Sequence, residues 1–131
     1  MKIIFSICIC IFIYTFTYSS IFNSDIFLGN WNAVWSIPNK GFVSFPSAKS
    51  NIMLGYFSFE KNGTVYIQGF GNPDCLFSSD TISYNANWSI HNNKLIVGHN
   101  RLNQFEYKIS SLKKDKIELI LLDDISLVLR K

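Results

Sequence analysis

The residues best equipped for chemistry in this chain are scattered, and no two of them sit at a spacing that chemistry requires. His91 and His99 each lie in a stretch of small polar residues, and Cys75 is flanked at a distance by Asp74 and Asp80. A metal centre would need such ligands at short repeat on one element, and none of these pairs offers it. Ser78 and Ser79 have no glycine-framed turn of the kind that presents a nucleophilic serine. Glu60, Glu106 and Glu118 each alternate with apolar neighbours and so point away from them, which leaves no inward pair of carboxylates for acid–base work. The expectation is a protein without catalytic machinery, metal or cofactor.

The aromatic side chains offer something else. Trp35, Tyr56, Tyr66, Tyr84, Trp88 and Tyr107 combine a large apolar area with a polar tip, which suits a concave pocket that orients a ligand with a few hydrogen bonds. Trp35, Tyr84, Trp88 and Tyr107 fall on apolar faces and are the candidate ligand-binding residues, with plain core packing as the alternative role. A connected apolar cavity of roughly 300 Å³ or more, lined by Tyr84, Trp88 and Tyr107, would separate a ligand carrier from a module with a filled barrel.

The elements that must position them are strands. From Ile82 to Ile90 every second residue is apolar and every residue between is small and polar, the period of a strand buried on one face. The alternation recurs at Phe105, Tyr107 and Ile109, and at Ile125, Leu127 and Leu129. Runs over residues 28–37, 52–60, 64–70, 81–90, 94–97, 103–110, 117–122 and 125–130 give about eight strands with hairpin-length links. Asn62-Gly63 marks a hairpin, since both types tolerate positive φ. Residues 42–50, interrupted by Pro46, amount to a short edge strand at most. A meander with one apolar face must close or stack, and short links favour an antiparallel up-and-down barrel.

Residues 3–16 are apolar apart from Ser6 and Thr15, follow a single Lys2 and precede small residues. These are the features of a secretory signal peptide over residues 1–19, cut after Ser19, leaving one domain over residues 20–131. The alternative is an uncleaved anchor, the chain's only expected association with a membrane. The expected destination is outside the cell, or the periplasm or cell envelope. Removing the leader takes Cys8 and Cys10 with it, so Cys75 stands alone and no internal disulfide forms. The net charge of +3 is too small and too scattered for a nucleic-acid surface. Lys113, Lys114 and Lys116 surround Asp115 in what is expected to be a solvated hairpin tip. Asn62-Gly63-Thr64 and Asn87-Trp88-Ser89 match the N-glycosylation pattern, as about two triplets would by chance in so asparagine-rich a chain.

Leu28-Gly29-Asn30-Trp31 opens the first strand shortly after the leader, and this Gly-x-Trp resembles the lipocalin signature. The order of the later runs, Phe57 to Val65, Trp88 to Ile96, Phe105 to Ile109, Ile117 to Leu121 and the terminal Leu127 to Arg130, resembles small exported lipocalin-like domains over essentially the whole mature chain. The resemblance implies an eight-stranded barrel whose closed end is plugged by Trp31, with Gly29 as its signature partner. It also implies an arginine of a late strand, here Arg130, packed across the indole. Its functional implication is a carrier of a small apolar or amphipathic molecule. The alternative is a surface or envelope module with a filled barrel, contacting a protein through rim loops over residues 38–50 and 71–80.

Overall fold

In the computed structural model the described residues are 23–38, 51–71, 74 and 77–131. The expected leader, the edge strand considered over residues 42–50 and Cys75 lie outside them.

Eight strands, β1 (Gly29–Ser36), β2 (Ile52–Phe59), β3 (Thr64–Phe70), β4 (Ile82–His91), β5 (Lys94–Gly98), β6 (Gln104–Lys113), β7 (Lys116–Leu121) and β8 (Ile125–Arg130), pair in chain order. All ladders are antiparallel, and β8 returns to β1 through Ala33↔Leu129 and Trp35↔Leu127, so the sheet closes without a free edge. Closure satisfies every strand's hydrogen-bonding sides at once and removes the edges that invite aggregation. The expected all-β meander is therefore a closed up-and-down barrel.

Strand alternation places the core. Trp31, Ala33 and Trp35 of β1 are buried with Phe57 and Phe59 of β2, and Leu127 and Leu129 of β8 complete that wall. Tyr56 and Tyr66, whose facing depended on register, fall on the outer parity of β2 and β3. Full burial of one such aliphatic or aromatic side chain is worth about 1.5–3 kcal/mol. Gly55 belongs to the inner face because nothing larger fits. A Cβ there would lie 2.1 Å from the Gln68 backbone oxygen and 2.5 Å from Trp35 Cζ3, so the missing side chain is the space that the Trp35 ring occupies.

Two local features differ from expectation. The β2–β3 turn uses positive φ at Gly63 alone (φ 86°), with Gly63 N donating to Glu60 O at 3.1 Å, the three-residue loop with glycine in the left-handed position. Asn62 serves it through its side chain, whose oxygen accepts from Thr64 N at 3.0 Å and Thr64 Oγ1 at 2.7 Å. Paired positive φ occurs instead at Asn92–Asn93 and at Leu122–Asp123. Strand β6 also continues past residue 110 to Lys113, because a register shift between Ile109 and Ser111 inserts one residue and lets the ladder with β7 resume. Ser110 is held at that irregularity by donating to Glu118 O at 3.0 Å.

The barrel has two unlike ends. One carries the short turns after β2, β4 and β6 and a single 3₁₀ turn, Ser24–Phe27, capped by the Asn23 side chain. Phe27 from that turn is fully buried, and its carbonyl accepts from Trp31 Nε1 at 2.6 Å. This end is closed. The other end carries the connections after β1, β3, β5 and β7.

Candidate functional site

From the closed end upward the interior is filled by rings. Phe27 and Phe59 meet edge to face at 5.6 Å between centroids, Phe57 stacks on Phe59 at 5.5 Å, and Trp35 lies 5.5 Å from Phe57. This column fills the lower interior among the described residues, and space lies above Trp35. There, at the open end, a cavity of about 130 Å³ is bounded below by Trp35, Met53 and Tyr107 and at the mouth by Ile82, Tyr84 and Phe105.

Of the four aromatic residues expected to contact a ligand, the structure brings three together: Trp35, Tyr84 and Tyr107 all line this cavity. Trp88 does not. It shares the inward parity of β4, but the antiparallel offset carries it to the closed end, where it packs edge to face on Phe59 at 5.2 Å and near Phe27 at 6.1 Å. Its indole N–H donates to Glu60 O at 3.1 Å and its backbone N–H to Gly63 O at 2.8 Å, so Trp88 ties β4 to the β2–β3 turn. In size and in lacking Trp88 the cavity falls short of the roughly 300 Å³ space that would have favoured a carrier over a filled barrel, because the ring column takes the lower interior. Alternation correctly points Ile82, Tyr84 and Phe105 inward, yet Tyr84 is 37% and Phe105 48% exposed, since they stand at the mouth.

The cavity wall is neutral. Burial drives the Tyr107 phenol beyond the usual tyrosine range, the nearby Tyr84 adds to this, and the Trp35 indole N–H beside it acts weakly in the opposite sense. Tyr84 is raised as well, by its own partial burial. Both phenols therefore stay protonated at physiological pH and offer O–H groups to a bound molecule. Residues outside the four expected ligand contacts also contribute, above all Phe105 and Phe77. Phe105 is inward by its parity with Tyr107, as its alternation implies, but was not among the expected contacts. Phe77 sits in the connection after β3 and carries no periodic signal.

The remaining candidates are dispersed. His91 ends β4 and His99 follows β5, both exposed, and among the described residues no three His, Cys, Asp or Glu side chains gather as metal ligands. Two of the outward carboxylates have surface partners: Glu106 accepts from Lys94 at 2.7 Å, and Glu118 pairs with Lys116. Those ammonium groups hold both carboxyls below their usual pKa, first through the hydrogen bond and then through charge. At the closed end Gly29 opens β1 and Trp31 is fully buried, as the signature implies. The cation over its ring is not Arg130, which takes the outer parity of β8 and is exposed. Lys131, one residue on, turns inward with Nζ 4.6 Å from the Trp31 ring centroid.

No family profile and no curated protein matches the sequence. Among solved structures, a lipocalin-like protein from Bacteroides uniformis superposes with a TM-score of 0.53 at 10% identity, covering 81% of this chain and 98% of its own. At that identity the likeness is one of fold. An eight-stranded closed antiparallel barrel, plugged at one end by a tryptophan and hollow at the other, together with this neighbour, establishes that the chain adopts a lipocalin-like fold.

Proposed function

We propose that this protein is an exported, non-enzymatic binding protein that holds a small apolar or amphipathic molecule at the open end of its barrel. The observation that carries the proposal is the aromatic-walled cavity between Trp35, Tyr84 and Tyr107. Its volume of about 130 Å³ is close to that of engineered apolar cavities that stay dry and take up benzene. The inserted part of the ligand is thus about one ring in size, with any longer tail or polar group left at the mouth. Export is supported by the apolar leader at residues 3–16.

Native mass spectrometry of the purified protein after exposure to lipid and metabolite extracts tests the proposal. A retained small molecule, lost on Tyr84→Leu, is the expected result. A clean apo mass across all extracts counts against it.

A second role has its own support: Leu102 and Leu122, at the tips of two open-end turns, are 94% and 77% exposed. Large apolar side chains at such tips suit contact with a protein partner. In that case Leu102→Ser with Leu122→Ser abolishes partner binding, and neither form retains a small molecule in native mass spectra.

A further inference from the structure

We propose that the open-end cavity takes the methylated ammonium head of a small organic cation, an inference that rests on the ligand-binding role above and names its ligand class. Five ring systems, those of Trp35, Phe77, Tyr84, Phe105 and Tyr107, contribute to a wall around about 130 Å³. A cation beside aromatic faces is attracted by the negative charge of the ring π-systems.

The wall discriminates between head groups. No lysine, arginine, histidine, aspartate or glutamate lines the cavity. A carboxylate or phosphate head would enter without a counter-charge, at the cost of its hydration. A primary ammonium carries three N–H donors and would find as side-chain acceptors only the two phenol oxygens and the weakly accepting Met53 sulfur. A trimethylammonium head has no N–H to satisfy, spreads its charge over methyl groups and matches both the size and the ring-rich surface.

Choline and 3,3-dimethylbutan-1-ol make the test, because they share a shape and differ in replacing the ammonium nitrogen by carbon. Binding of each to the purified protein is followed by NMR shift titration, repeated on Phe105→Leu, which keeps an apolar side chain at a half-exposed position and removes the ring. The expected result is choline binding about fivefold or more tighter than the alcohol, with Phe105→Leu erasing at least about threefold of that preference. Equal or tighter binding of the neutral alcohol overturns the ammonium head while leaving a ligand cavity in place. A Phe105→Leu loss shared equally by both probes overturns it too. Binding of neither probe, together with a clean apo mass after exposure to extracts, removes the ligand-binding role itself.

Discussion

Lys131 lies with its ammonium nitrogen 4.6 Å from the centre of the Trp31 ring, so the last described side chain caps the barrel's plug. Its backbone N–H donates to Asp115 O at 3.1 Å, which fixes the chain beyond β8 against the β6–β7 turn and aims the side chain inward. Lys131→Ala should lower stability by about 0.5–1 kcal/mol, the range of a half-exposed cation–ring contact. Arg130→Ala, on the outer face, should stay within about 0.5 kcal/mol. Urea unfolding of the two variants decides which cation matters.

Gly55 should accept no side chain. The Cβ of an alanine would lie 2.1 Å from the Gln68 oxygen, a backbone atom of a paired strand that cannot yield without breaking the ladder. Gly55→Ala is expected to cost about 3 kcal/mol or more, and to displace Trp35 enough to alter its fluorescence. Both are read in one denaturant titration.

Trp88 and the cavity should behave independently. Trp88→Phe removes the hydrogen bond to Glu60 O and part of the packing on Phe27 and Phe59, a loss of about 1–2 kcal/mol. Retention of a small molecule in native mass spectra should be unchanged, because Trp88 does not touch the cavity.

Alkaline pH should destabilise the barrel through Tyr107. Its phenol has a folded pKa raised by burial above the unfolded value of about 10. The folded state therefore holds the proton more tightly, and the associated stability is complete below pH ~10 and lost as pH rises through and beyond it. Tyr107→Phe should flatten the decline in thermal midpoint above about pH 10. Absorbance titration of the native protein should show at least one tyrosine ionising only as the fold opens.

Leu122 should be replaceable with profit. It holds φ 53° at an exposed turn, a left-handed conformation that costs a branched L-residue about 1 kcal/mol or more and that asparagine tolerates. Leu122→Asn is expected to raise stability by about 0.5–1 kcal/mol in thermal unfolding. If the rim also contacts a partner, the same variant weakens that contact.

Strand number, strand order and inward parity were legible in the residues themselves, because side chains alternate with period two and only one of the two faces is apolar. From Ile82 to Ile90 that rule named the face of β4 that turns to the interior, with Ala86 buried, Trp88 and Ile90 half-buried, and Ile82 and Tyr84 exposed at the mouth. It could not say how far along the axis each one lies. Tyr84 and Trp88 share a face and are four residues apart, and that separation carries one to the open mouth and the other to the closed plug. Phe77, in a connection without periodicity, left no signal, and the exchange of Arg130 for Lys131 turns on a single residue of parity at the end of β8.

The sequence alone determined an all-β meander with one apolar face, since that alternation has no stable helical counterpart and must be buried against itself. The tertiary structure alone decided where the interior is full and where it is hollow. Closure of β8 on β1 sets the stagger of all eight strands, and the stagger stacks Phe27, Phe57, Phe59 and Trp88 toward one end while leaving Trp35, Tyr84 and Tyr107 around the space at the other.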